Sequence, residues 1–246
     1  MAGIPALYGR RIGAVGGGVS CGKTAFINSL LTNASCRLAE DEQPVTVLPC
    51  HVIAGSDVEK AVARGVSRWG GIFEMPVETC LNLSYSALRS RDFSLLKIMR
   101  GMTLLTPVRD RLFRHLCLMD TPGYNPPETY GEADARNTAL DAVSKADFLI
   151  WLVDAASGTP LPASDIDFLS GTDFGREDGK PLFIVAARAD LKKKDALEDM
   201  LAALEDSLDD AGLYYEGICA WSSREPKGVF PFRKSNVRDF LKEQNQ

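Results

Sequence analysis

The chain has little with which to hold a metal through nitrogen or sulfur. It carries only two histidines, His51 and His115, and six cysteines, none of them in a C-x-x-C pair. Zinc-type Cys/His spacing is therefore excluded. No apolar run approaches the ~20 residues of a membrane-spanning helix, and the best candidate, Phe148 to Ala156, is interrupted by Asp154. The opening stretch MAGIPALYGRRIGAV has neither the apolar core nor the small-residue cleavage site of a signal peptide. These absences predict a cytoplasmic, reducing setting with six free thiols, most of them packing residues. Positive charge is not in excess either: 28 basic against 33 acidic residues give a net charge of −5, which argues against nucleic acid as the main partner. Short repeats, heptads and biased tracts are missing, which excludes coiled-coil, collagen-like and low-complexity classes. What remains is 246 residues at 45% hydrophobic and 25% charged, enough to bury a sizeable core and too apolar to stay disordered.

Against that background the N-terminal region carries a strong signal. The apolar run Ile12-Gly13-Ala14-Val15 leads into Gly17-Gly18-Val19-Ser20-Cys21-Gly22-Lys23-Thr24, and Ala25, Phe26, Ile27, Leu30 and Leu31 follow with helical spacing. This is the full phosphate-loop pattern G-x-x-x-x-G-K-S/T between a strand and a helix. Glycines let successive backbone N–H groups turn inward around phosphates, and the helix starting near Gly22 adds its positive end. Lys23 is placed to reach the β- and γ-phosphates, and the Thr24 hydroxyl to bind Mg²⁺. Cys21, inside the loop, is expected to be open to alkylation and protected by nucleotide.

A second apolar strand, Leu116-Cys117-Leu118-Met119, ends in Asp120-Thr121-Pro122-Gly123. An Asp in this position holds Mg²⁺ through water, and the Gly123 N–H meets a γ-phosphate, so the D-x-x-G loop can order with triphosphate and relax with diphosphate. Taken alone, Asp-x-Pro-Gly is also an ordinary turn; its place after an apolar strand downstream of a phosphate loop gives it weight.

Together, G-x-x-S-x-G-K-T-x-F-I-N-x-L-L and D-T-P-G resemble the dynamin-like GTPases. The resemblance implies a three-layer α/β phosphate-loop NTPase fold with a mostly parallel sheet, formed by one domain over residues 1–246. It makes Thr46, in Thr46-Val47-Leu48-Pro49, similar to the switch I threonine that closes over Mg²⁺ and the γ-phosphate; the alternative for Thr46 is a strand residue beside a Pro-bounded turn. Thr46 and Asp120 lie 74 residues apart, which leaves room for an insertion over roughly 55–112 that extends the sheet. Helices are expected there at Asp57 to Arg68 and Asp92 to Arg100, a break at Gly70-Gly71 and a strand at Met102 to Leu105. Arg109, Arg111 and Arg114 read as a polar surface hairpin.

Beyond Asp120 the pattern alternates as an α/β fold should. It gives a helix at Gly131 to Lys145, strands at Phe148 to Val153, Leu182 to Ala186 and Gly217 to Ala220, and helices at Leu191 to Leu208 and Val237 to Lys242. Guanine is normally read by N/T-K-x-D at the end of one such strand, and the segment here is Ala187-Arg188-Ala189-Asp190. The Asp190 carboxylate can accept from both guanine N1–H and N2–H₂, which adenine does not offer. Arg188 replaces the lysine and can stack on a base by its stem or guanidinium, while Ala187 loses one hydrogen bond. The competing reading makes Asp190 a cap for the helix that follows. Trp221 and Ser222 stand where the base-backing loop belongs, with Trp221 either over the base or sugar or buried in the core.

Hydrolysis needs a positioned water and positive charge between the β- and γ-phosphates. The position after D-x-x-G, a glutamine in Ras-like enzymes, is Tyr124, and the residue before the loop serine is Val19; neither can orient water. Ser20 matches the loop serine, which by resemblance helps hold a monovalent cation, and is otherwise a helix-entry hydroxyl. The resemblance thus implies a Mg²⁺-dependent GTPase using Lys23, Ser20, Thr46 and Gly123, slow alone and stimulated by homodimerisation across the nucleotide face. Peripheral membrane association would come through a longer protein. A GTP/GDP-dependent binding module with little hydrolysis, or a phosphate-loop ATPase, are the alternatives.

Overall fold

The computed structural model describes residues 7–31, 37–38, 40, 48–55, 59–81, 98–108, 110–125, 132–157, 159–225 and 228–246. Thr46 lies outside them, as do Cys36, Arg109 and most of the expected helix at Asp92 to Arg100.

Among the described residues a ten-stranded sheet forms the middle layer. Its strands are β1 (Arg11–Gly17), β2 (Cys50–Gly55), β3 (Val62–Ser67), β4 (Ile72–Met75), β5 (Met99–Pro107), β6 (Leu116–Asp120), β7 (Phe148–Asp154), β8 (Leu182–Ala187), β9 (Gly217–Trp221) and β10 (Val229–Pro231). They lie in the order β10-β9-β8-β7-β1-β6-β2-β5-β3-β4. The expected mostly parallel sheet is corrected to a mixed one. β6, β1, β7, β8 and β9 run parallel, whereas β2 is antiparallel to β6, β3 to β4 and β5, and β10 to β9. Two of the antiparallel pairs, β3 with β4 and β9 with β10, join consecutive strands through short connections, and a tight turn can only reverse direction. Gly70-Gly71 marks such a turn, between β3 and β4.

The insertion therefore widens the sheet, as its length suggested, but not with the expected first helix. Residues 62–67 form a strand, with Val62, Ala63 and Val66 set against β5 and half of the positions buried. The helix-forming Glu59 and Lys60 lie just before it, and pairing of Val62–Ser67 between β4 and β5 decides the strand. The polar segment before β6 is a 3₁₀ turn, Arg111–Phe113, capped by the Asp110 carboxylate accepting from the Leu112 N–H at 3.0 Å. Arg111 and Arg114 are exposed as expected, while Leu112 and Phe113 are buried.

Helices cover both faces. On one side lie α1 (Lys23–Leu31), the short α2 (Val77–Leu81) and α6 (Val237–Gln244). On the other lie α3 (Glu132–Ser144), α4 (Ala163–Ser170) and α5 (Lys194–Asp210). The apolar spacing of α5, with Leu197, Met200, Leu201, Leu204 and Leu208 buried, places one stripe on the sheet and leaves its acidic residues in solvent. Asn236 caps α6 by accepting from the Asp239 N–H at 2.9 Å. The described cysteines are free and buried. No helix among the described residues is long and apolar enough to cross a membrane.

Candidate nucleotide-binding site

Because β6, β1, β7, β8 and β9 run parallel, their C-terminal ends share one edge of the sheet. That edge gathers Asp120, Gly17, Asp154, Ala187 and Trp221. β1 lies between β6 and β7; after β1 the chain passes to the β6 side of the sheet, and after β6 it crosses to β7, and the crevice at such a reversal is where open α/β sheets bind ligands.

The Gly17–Thr24 loop turns on two glycines with positive φ. Gly17 has φ +140°, and a Cβ there would stand 2.4 Å from the Leu152 carbonyl oxygen. Gly22 is also left-handed, at φ +95°. α1 starts at Lys23, and the Phe26 N–H already donates to the Gly22 carbonyl at 2.8 Å. The N–H groups of the loop and of Lys23, Thr24 and Ala25 thus precede or open the helix, where no carbonyl within the helix can satisfy them. Lys23 is 6% exposed, and its ammonium donates to the carbonyls of Gly17 at 3.1 Å and Gly18 at 2.6 Å. Cys21 corrects an expectation: it is buried, and burial pushes its thiol pKa up. A buried, protonated thiol is a poor target for alkylation.

Two contacts join this loop to the D-T-P-G segment. The Thr24 hydroxyl donates to Asp120 Oδ2 at 2.9 Å across 96 residues of sequence. Gly123 lies directly on Val19: a Cβ on Gly123 would be 2.5 Å from Val19 Cγ2 and 2.9 Å from Val19 Cα. Only glycine permits that approach. Thr121 anchors the segment by donating to the Val15 carbonyl at 2.7 Å.

The next two residues part company. Tyr124 turns into the core, 3% exposed, against Trp151 and Phe168. Its phenol hydrogen-bonds to the Asp165 carboxylate and to the Ser164 hydroxyl, and the Trp151 indole N–H donates to Asp165 at 2.7 Å. Burial pushes the Tyr124 phenol well above its ordinary pKa and raises that of Asp165 despite the two donors. Tyr124 is thus a neutral anchor for the loop, pointing away from the phosphate side. Asn125 faces the phosphate loop instead, its Oδ1 accepting from the Val19 N–H at 2.8 Å.

At the end of β8, Arg188 adopts a left-handed φ of 59°, uncommon for a residue with a Cβ. Its guanidinium donates to the Ser20 carbonyl at 2.5 Å and to Asp154 Oδ2 at 3.0 Å. Ser20 is itself left-handed, also at φ 59°. The arginine therefore ties two strained backbone positions and the end of β7 together. Ala187 is buried, and a Cβ on Gly22 would stand 3.8 Å from its methyl group. Asp190 is exposed, in the short 3₁₀ turn Ala189–Leu191, and it caps neither that turn nor α5, whose capping residue is Lys193.

Trp221 takes the core position. It is 1% exposed, edge-on to Phe26 at 5.2 Å between ring centroids, and its N–H donates to Ser29 at 2.9 Å under α1. Ser222 is fully buried and shapes the loop after β9, accepting from the N–H groups of Arg224 and Glu225 at 3.2 and 3.3 Å.

The donor set suits a hard cation that keeps most of its ligands elsewhere. Thr24 and Asp120 supply one hydroxyl and one carboxylate. No group of three His, Cys, Asp or Glu able to hold a metal occurs among the described residues. Mg²⁺ shared with phosphate oxygens and water fits such a pair; zinc or copper does not. Sequence reading missed Asn125, Asp154 and the Tyr124–Asp165–Trp151 network. The polarity of Asn125, directly after Tyr124, was the one available signal.

No protein-family model matches the chain, and no curated protein matches it. Solved structures do. Two structures of a bacterial dynamin pair, described as oligomerised and as sensing and tethering membranes at long range, superpose with TM-scores of 0.61 and 0.60 at 19% identity. They cover 98% of this chain but 35% of theirs, so the chain spans about a third of their length. Era in complex with MgGDPNP and a segment of 16S ribosomal RNA superposes with a TM-score of 0.52 at 15% identity, over 96% of this chain and 56% of Era. At these identities the likeness is one of fold: a three-layer α/β architecture around a mixed central sheet.

Proposed function

We propose that this chain is a GTP-binding and GTP-hydrolysing switch domain of dynamin-like type. The observation that carries the reading is the junction of the two motifs: Thr24 bonded to Asp120, with Gly123 seated on Val19. This couples the state of the phosphate loop to the D-T-P-G segment, as a switch requires.

The residues would take these roles. Backbone N–H groups from Ser20 to Ala25 bind phosphate oxygens. Lys23 leaves its two loop carbonyls, or shares them, to bond the β- and γ-phosphates. Thr24 and Asp120, with Thr46 from switch I, hold Mg²⁺. When bound, Mg²⁺ would neutralise charge on the β- and γ-phosphates. Gly123 donates to the γ-phosphate. Asp190 reads the guanine edge, and Arg188 braces the phosphate loop beside it, so that base and phosphate subsites are held at fixed separation. Ser20 contributes to a monovalent cation site. Dimerisation across the nucleotide face, and membrane association through a longer protein like the bacterial dynamin pair, complete the proposal.

A second reading, a GTP/GDP-dependent binding module with little hydrolysis, is favoured by one feature. Val19 is packed on Gly123 and Tyr124 is turned inward, so neither brings a water-orienting group to the γ-phosphate side. Phosphate release at saturating GTP over a range of protein concentrations separates the two. The switch-domain reading predicts turnover below about 10⁻² s⁻¹ per protein when dilute, rising as concentration promotes pairing. No release above the Lys23→Ala background at any concentration would leave only the binding module.

A further inference from the structure

We infer that Asn125 is a γ-phosphate-contacting residue, which gives the site the side-chain amide that Tyr124 and Val19 do not. The inference rests on the GTPase reading above and adds a residue to it. Tyr124 is fixed in the core by Asp165 and Ser164, which obliges the chain to turn and presents the next side chain to the phosphate loop. There the Val19 N–H donates to Asn125 Oδ1 at 2.8 Å. An N–H needs an acceptor, so this bond fixes which end of the amide is oxygen and commits Nδ2, with its two hydrogens, to the other side. Nδ2 lies over Gly18, 3.6 Å from where a Cβ on that glycine would stand. Among the described residues Nδ2 has no hydrogen-bond partner.

The location gives those donors a purpose. Val19 is also the residue on which Gly123 sits, so the Asn125 amide and Gly123 border the same residue of the loop. An exposed neutral donor beside phosphate oxygens makes a charge-assisted hydrogen bond, about twice as strong as a neutral one. Because it approaches from the D-T-P-G side, it meets the third phosphate and not the first two. Asn125 would therefore discriminate triphosphate from diphosphate and stabilise charge that grows on the γ-phosphoryl oxygens during cleavage.

Two variants test this. Asn125→Ala removes both ends of the amide. Asn125→Asp keeps an acceptor of the same reach for the Val19 N–H and replaces the donors with an anionic oxygen. The measurements are affinity for GDP and for a non-hydrolysable GTP analogue, the single-turnover rate of GTP cleavage, and the thermal unfolding midpoint. Both variants should bind GDP within about threefold of wild type and keep its unfolding midpoint, since the side chain is exposed. Affinity for the triphosphate analogue should fall about tenfold in Asn125→Ala and further in Asn125→Asp, with single-turnover cleavage reduced at least tenfold in both. Wild-type behaviour of Asn125→Asp beside an impaired Asn125→Ala would reduce Asn125 to a loop anchor and overturn the inference. Equal losses for diphosphate and triphosphate would do the same. If wild type binds and cleaves GTP and both variants match it, this inference alone fails. If wild type shows no Lys23-dependent guanine-nucleotide binding, the GTPase reading fails and takes the inference with it.

Discussion

Lys23→Ala is expected to weaken both GTP and GDP binding by at least about a hundredfold while leaving the fold intact. Hydrogen bonds to charged partners contribute about 1.5–3 kcal/mol each, and the proposed role gives the ammonium two phosphate partners. Its present partners are the carbonyls of Gly17 and Gly18, and the side chain is 6% exposed, so the substitution leaves a small space and two carbonyls for water to take up, at a modest cost to folding. A loss of about 1 kcal/mol would move the unfolding midpoint by about 2–4 °C in a chain of this size. Equilibrium titration of a fluorescent guanine nucleotide, with circular dichroism as the control, checks both halves. Affinity within threefold of wild type would mean that the loop does not hold phosphates in the proposed manner.

Asp190→Asn should have a comparable effect on the base side, and a more specific one. A carboxylate accepts from both N1–H and N2–H₂ of guanine; an asparagine presents one acceptor and one donor. The donor then faces the guanine amino group, and two donors meet without an acceptor. Sites built to hydrogen-bond a group reject the mismatched partner by ~10⁴–10⁵ in the strongest cases, and a loss of at least about a hundredfold in GDP affinity is expected for this exposed carboxylate. Xanthine nucleotides carry an oxygen where guanine has its amino group, and should gain affinity in the same variant. Isothermal titration with GDP and XDP measures the exchange. Unchanged GDP affinity, or a loss shared equally by both nucleotides, would assign Asp190 no part in base reading. The absence of any capping role for Asp190 makes this a clean substitution, because no helix end depends on the carboxylate.

The motifs were legible in sequence because their chemistry is local. Gly17 to Thr24 form a loop whose shape is set by its own glycines and by the helix that follows. Asp120 ends an apolar strand that could hardly be anything else. The parallel core from β6 to β9 was legible for the same reason, since continuous apolar runs between helical segments have few other solutions. What was not legible depended on partners far away in the chain. Val62–Ser67 became a strand through pairing with β5, although Glu59 and Lys60 before it favour a helix. α4 is short and has no side-chain cap, so its start left no mark in the sequence. Trp221 could face either way until the pleat was known. It shares a face of β9 with Cys219, toward α1, while Ile218 and Ala220 face the other layer. The division of labour between Tyr124 and Asn125 required the buried carboxylate of Asp165, 41 residues further on.

Arg188 makes the same point at the site itself. Its charge and length suggested stacking on a base, whereas the structure gives it the Ser20 carbonyl and Asp154. The arginine thus places a positive group between residues 187–190 and the Gly17–Thr24 loop, and Ala187 lies against Gly22 by contact.

The most direct test of the central claim is competition. A fluorescent GTP analogue bound to the purified protein with Mg²⁺ is challenged with unlabelled GTP, GDP and ATP. Displacement by GTP and GDP but not by ATP is the predicted result, because Asp190 pairs only with the guanine edge while the phosphate loop serves all three. Equal displacement by ATP would contradict a guanine-specific switch, and an analogue that does not bind, or binds Lys23→Ala as well as wild type, would contradict the nucleotide site altogether.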